Sequence, residues 1–231
     1  MDPGPEEQLV DGAHDAFISV FDANGNYLWS GNWPSWWQGS AIEVDPLGFV
    51  YVGGAFAGEV DFDPGPGVEE RAAIGKSDTF LSVFTKNGNF LGVGTWDCNL
   101  NGSPPSIWDG DIIIDIKSDE SGNLYVATQF REMIDMDPGP GQDYRWSLAG
   151  MDAIILKLHV SGELIWARNW GDLDGARIVA MDLGSDGNIY GAGSYHGKVD
   201  FDPGPDIDFH DTPPGNSTGA YAIKFPPSGN W

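Results

Sequence analysis

Asp61-Phe62-Asp63-Pro64-Gly65-Pro66 decides the fold, because it returns as Asp135-Met136-Asp137-Pro138-Gly139-Pro140 and as Asp200-Phe201-Asp202-Pro203-Gly204-Pro205. The copies start at residues 61, 135 and 200, spaced 74 and 65 apart, and a shortened copy, Asp2-Pro3-Gly4-Pro5, opens the chain. Self-similarity at such a period means stacked units, each too small to bury its own apolar face.

Two kinds of hairpin alternate between the copies. The first reads Asp15-Ala-Phe-Ile-Ser-Val-Phe-Asp22, an Ala-Asn-Gly-Asn turn, then Tyr27-Leu28-Trp29. It recurs around Asn87-Gly88, Ser161-Gly162 and Ser228-Gly229. The second reads Ala41-Ile-Glu-Val-Asp45, a Pro46-Leu47-Gly48 turn, then Phe49-Val-Tyr-Val-Gly53, and recurs around Ser121-Gly122-Asn123 and Asp186-Gly187-Asn188. Alternation of apolar with polar or small residues on either side of a Gly-containing turn predicts paired strands. Seven such hairpins with no helical periodicity predict an all-β fold.

Each repeat reads as four antiparallel strands, with the acidic motif linking the second to the third. A unit of that size must stack on the next, which points to β-propeller blades rather than a sandwich or barrel. Large residues are then expected between blades. Trp33, Trp96 and Trp170 fall at equivalent positions, and Trp29 matches Trp166, with Gly92 in the middle repeat. Inter-blade packing is the expected role of this ladder. The chain divides into 1–40, the outer hairpin of a first blade, then blades at 41–110, 111–177 and 178–231, the last with a truncated final strand. Three and a half blades fall short of the roughly four to eight of a closed propeller. The ring is therefore expected to be completed by oligomerisation or by missing sequence.

The stretches 15–26, 182–194 and 199–205 resemble the SBBP-type β-propeller repeat of bacterial and archaeal surface proteins. The likeness spans nearly the whole chain and implies a propeller that is extracellular or attached to the cell surface, with no activity belonging to the repeat itself. The departures are an insert at 97–110 and the Trp-rich loop Trp33-Pro-Ser-Trp-Trp37.

Charge excludes some partners. The 231 residues carry a formal net charge of -24, whereas nucleic-acid binding needs basic patches that displace counterions. An anionic membrane surface is excluded on the same ground, and no apolar run reaches the roughly 18 residues of a membrane span. The start at Met1 has neither the basic segment nor the apolar stretch of a signal peptide. Asp supplies 26 of the 35 acidic residues, and Asp favours turns, caps and calcium loops over helices. The single cysteine, Cys98, excludes an internal disulfide. His14, His159, His196 and His210 show no metal-ligand spacing, and no nucleophile elbow or phosphate loop is present. Asn101-Gly-Ser and Asn216-Ser-Thr match glycosylation acceptors.

The chemistry therefore concentrates in the acidic motif. Its first and third positions are Asp61 and Asp63, Asp135 and Asp137, Asp200 and Asp202; its ninth is Glu69, Asp143 or Asp208. With Asp2 from the shortened copy, these residues are expected to take Ca2+, which prefers six to eight hard oxygens. Proline leaves carbonyls without competing donors, and Gly65, Gly139 and Gly204 are expected to supply the dihedrals of a tight wrap. The competing reading is a plain turn, in which Asp caps its own backbone. Three acids per copy with no cation among them favour the ion.

Function on this reading is a calcium-stabilised, non-enzymatic module that holds a protein or glycan, or assembles with its own kind. Trp33, Trp36 and Trp37 are the expected contact residues at the rim. A glycoside hydrolase or lyase is the alternative, but it needs an acid–base pair unique to one blade.

Overall fold

The computed structural model describes residues 16–33, 37–74, 77–96, 112–147, 150–171, 175–214 and 217–230. Among these there are strands and turns and no helix. Strands β1 (Ala16–Phe21) and β2 (Tyr27–Trp33) pair as a hairpin. β3 (Trp37–Val44) and β4 (Val50–Phe56) follow, then a ribbon of β5 (Glu59–Asp61) and β6 (Glu70–Ala72), then β7 (Asp78–Phe84) and β8 (Phe90–Trp96). The longer four form one antiparallel sheet in chain order, with the ribbon inserted between its second and third strands.

The next segment repeats this plan. β9 (Asp115–Ser118) and β10 (Leu124–Phe130) precede the ribbon β11 (Met133–Asp135) and β12 (Tyr144–Trp146). β13 (Asp152–Leu158) and β14 (Leu164–Trp170) complete a second sheet of four strands. A third sheet has β15 (Ala176–Leu183), β16 (Ile189–His196) and β19 (Thr218–Phe225), with the ribbon β17 (Lys198–Asp200) and β18 (Phe209–Asp211) between the last two. The acidic motif forms the turn of every ribbon, the place the sequence assigns to it.

One turn chemistry closes six hairpins and recurs in the turn after β19. Gly25, Gly48, Gly88, Gly122, Gly162, Gly187 and Gly229 have φ between 72° and 87°. Each donates its N–H to the carbonyl three residues before, as Gly25 does to Asp22 and Gly162 to His159. This is the three-residue loop that ends on a left-handed residue and feeds a bulge, a conformation in which glycine avoids a steric cost. Three of the hairpins carry a further irregularity one ladder pair beyond the turn, where the register shifts at Val20/Phe21, Val83/Phe84 and Lys157/Leu158.

The sheets pack face to face because the central strands of the first two are apolar on both sides. In β10, Leu124, Val126 and Phe130 join a core with Tyr51, Leu81 and Trp96 of the first sheet. Tyr125 and Ala127, pointing the other way, join Ile178, Ile189 and Phe225 of the third. This is the period-two alternation of a strand buried on both faces. The β1–β2 hairpin packs likewise, with Ile18 and Trp33 against Val50, Phe56, Phe62 and Phe84. Each Leu, Ile or Phe so buried contributes about 1.5–3 kcal/mol. The leading strands also lie side by side, β3 against β9 and β9 against β15.

Candidate functional site

The three acidic loops share one geometry. Oδ1 of the first Asp accepts two backbone N–H groups, from the second Asp and from the ninth residue. The distances are 3.1 and 2.8 Å for Asp61, 3.2 and 2.8 Å for Asp135, and 3.1 and 2.9 Å for Asp200. The second Asp caps the glycine of Pro-Gly-Pro: Gly65 donates to Asp63 at 2.8 Å, Gly139 to Asp137 at 2.7 Å and Gly204 to Asp202 at 2.6 Å. These are side-chain turns of the kind Asp favours. Gly65, Gly139 and Gly204, expected to supply the dihedrals of a tight wrap, have no positive φ. A Cβ there would lie 2.8–3.0 Å from Oδ1 of the capping Asp, and that crowding is what glycine avoids.

A basic side chain, Arg or His, accompanies each set of acids just outside the motif. It lies two residues past the ninth position. Arg71 pairs with Glu69 at 2.5 Å, Arg145 with Asp143 at 2.9 Å, and His210 with Asp208 at 3.1 Å. Successive even positions in a strand face the same way, so the partner was legible from the ribbon's period once the ribbon was recognised. Among the described residues, no group of three or more His, Cys, Asp or Glu side chains is arranged to hold a metal ion.

The residue between the two Asp is the hidden part of the motif. Phe62 and Met136 are fully buried, and Phe201 is 4% exposed. The carbonyl of Phe62 accepts the indole N–H of Trp33 at 3.0 Å, and that of Met136 accepts the indole of Trp96 at 3.1 Å. The first two acidic loops therefore clasp the last strand that precedes their own sheet. Trp170 is equally buried but packs instead edge-on against Tyr221, with ring centres 6.0 Å apart, and against Phe225. Trp33, expected at the rim, is 1% exposed and is a packing residue. Trp36 and the side chain of Trp37 lie outside the described residues, as do Asp2, Cys98, Asn101 and Asn216.

The outer Trp position is filled in two places and open in one. Trp29 donates to the Lys86 carbonyl at 3.0 Å and Trp166 to the Pro227 carbonyl at 3.2 Å. Each ring covers the glycine of the facing hairpin turn, so that a Cβ on Gly88 or Gly229 would strike the indole. At the middle position stands Gly92, and neither Gly92 nor the facing Gly162 would bring a Cβ within 4 Å of anything. A groove of about 750 Å3 opens there between the first and second sheets. Tyr51, Leu81, Val83, Leu158 and Val160 line it, and Asp137 and Glu163 also border it.

No family model matches the chain. No curated protein matches it either. Among solved structures it is similar to a crystal structure of a protein of unknown function from Bacteroides caccae. That alignment is 11% identical, with a TM-score of 0.36, and covers 73% of this chain and 61% of that one. A likeness at that level carries no inference about this chain.

Three hairpin turns hold their Asp ionised. Asn26 lowers the Asp22 carboxyl through its side-chain amide and backbone N–H. For Asp119 the largest influence is burial, which raises the pKa. Hydrogen bonds from Asn123 and Ser121, with the charge of Lys157, outweigh it and leave the group below the usual carboxylate range. Asp186, held chiefly by Asn188, falls to about 2. Beside two such turns the Tyr51 and Tyr125 phenols are pushed far up, first by burial and then by the Asp45 and Asp119 carboxylates.

A carboxyl whose folded pKa lies below its unfolded value stabilises the fold above the unfolded value, here 3.8. That stabilisation is lost as pH falls through the folded value. The urea midpoint is therefore expected to be flat from pH 7 to 5 and to drop steadily from pH 4 towards 2. A variant with both Asp119→Asn and Asp186→Asn should show a shallower drop over that window. The same slope in both proteins would remove these turns as the source.

Proposed function

We propose that the chain is a run of β-propeller blades, about three and a half in number, serving as a non-enzymatic binding or assembly module outside the cell. The observation that carries this reading is the repeated junction: Trp33 to Phe62 and Trp96 to Met136 tie two units to the loop of the next by hydrogen bonds, and Trp170 packs on Tyr221 and Phe225 at the third. Such a device belongs to stacked units whose inner strands stand side by side, and a ring around those strands follows from adding further units. Another copy or further sequence would close it. The SBBP-type resemblance points to the same architecture and to a surface location. Its partner is a protein or a glycan.

Two features weigh against a glycoside hydrolase or lyase. The motif acids occur in triplicate rather than as one pair, and Oδ1 of each Asp accepts backbone N–H groups while each ninth residue pairs with Arg71, Arg145 or His210. A general acid needs a proton to give at working pH, and the hairpin carboxyls Asp22, Asp119 and Asp186 are held low. Binding to protein and glycan arrays with no turnover of any glycan retained would agree with the module; hydrolysis products would overturn it.

Bound Ca2+ is a second reading. In each loop both backbone bonds fall on Oδ1 of the first Asp, which leaves Oδ2 as an oxygen ligand. The hydrogen-bonded clasp alone predicts the same Tm in excess Ca2+ and in chelator. A rise of several degrees with Ca2+ would carry the second reading, because an ion bound to the native state must stabilise it.

A further inference from the structure

We propose that the groove beside Gly92 receives a tryptophan side chain presented by a basic polypeptide partner. The inference deepens the binding-module reading by naming the chemistry of one partner. The chain itself shows what such a groove accepts, since the equivalent positions hold the indoles of Trp29 and Trp166. In both places the ring lies over the positive-φ glycine of the facing turn, Gly88 or Gly229, and its N–H reaches the carbonyl two residues before that glycine.

At the open position every receiving element is present. Gly162 has φ 87° and donates its N–H to His159, so its turn has the same shape as the other two. The Val160 carbonyl corresponds to those of Lys86 and Pro227, and no described donor reaches it. Val83, the ladder partner of Gly92, lines the floor, as do Tyr51, Leu81 and Leu158. Among the described residues, no ring occupies the position.

Volume and charge select the source of that ring. At about 750 Å3 the groove lies within the range of ligand clefts, roughly 300–1,000 Å3, and has room for chain on either side of an indole. Asp137 and Glu163 border it, and the chain's net charge of -24 attracts cations. A tryptophan flanked by Lys or Arg satisfies both conditions. A second copy also carries an exposed Trp146, 60% accessible and next to Arg145. Two chains of charge -24 repel one another, so the basic partner is favoured.

The test is a calorimetric titration with Ac-Lys-Trp-Lys-NH2, beside Ac-Lys-Leu-Lys-NH2 and N-acetyltryptophanamide, monitored by the Val160 and Gly162 amide resonances. The tryptophan peptide is expected to bind at least about tenfold more tightly than the leucine peptide and several-fold more tightly than the uncharged amide. Gly92→Trp, which supplies the ring in cis, is expected to abolish binding and raise Tm. Gly92→Leu gives the same test of blockage should the larger residue not fold. Binding equal for Trp and Leu, equal with and without lysines, or unchanged in both variants overturns the proposal. So does peptide-independent dimerisation abolished by Trp146→Ala, which would assign the groove to a second copy. Failure here with array binding retained leaves the module reading standing; failure of both removes both.

Discussion

Replacing Trp33 by alanine is expected to cost about 3–5 kcal/mol, the range for deleting a buried Trp ring from a core that relaxes only partly. The ring is 1% exposed, sits 5.7 Å from Phe84, and shares its core with Ile18, Phe56 and Phe62. For a chain of this size each kcal/mol moves Tm by roughly 2–4 °C, so the fall should be about 6–20 °C. Trp33→Phe separates two contributions. It keeps most of the ring contact but removes the indole N–H that the buried Phe62 carbonyl accepts, which costs about 1–3 kcal/mol. A thermal melt of the three proteins should rank them wild type, Phe, Ala. A rim residue that serves only a partner would behave in the opposite way, with Tm unmoved and ligand binding lost.

Much of this was legible because the signals are periodic. The seven Gly-containing turns locate the hairpins, and the alternation in Leu124 to Phe130 and Asp152 to Leu158 identifies strands buried on both faces. The equivalence of Trp33, Trp96 and Trp170 follows from repeat spacing alone. What escaped the sequence was direction. Trp33 begins a Trp-rich loop and reads as exposed, yet it ends β2 on the side that faces the next sheet. The acids at positions one, three and nine read as ligands around an ion. In the fold, two of them turn back onto their own amides and the third pairs along the ribbon. Gly92 stood out as an exception to the Trp pattern, but its consequence needs the facing turn. That turn belongs to another sheet, some 70 residues on, and no local rule connects the two.

The acidic loop gives the second large effect. Asp135→Ala removes the oxygen that accepts the Asp137 and Asp143 N–H groups, at 3.2 and 2.8 Å, and so leaves two donors of the turn unmatched. Caps of this kind are worth about 0.5–2 kcal/mol each, which puts the loss for two at about 1–4 kcal/mol. The damage should spread beyond the loop, since Met136 between those residues is fully buried and its carbonyl holds the Trp96 indole. Asp135→Asn keeps a carbonyl oxygen at the same place and should recover most of the stability, because backbone donors need an acceptor and not a full charge. A bound Ca2+ makes the contrary demand: the amide would be nearly as damaging as alanine, and both losses would vanish in chelator. Urea midpoints of the two variants, with Ca2+ and with chelator, therefore decide what the repeated carboxylate is for. If the clasp is the reason for the motif, Asn approaches wild type, Ala does not, and neither value depends on the metal.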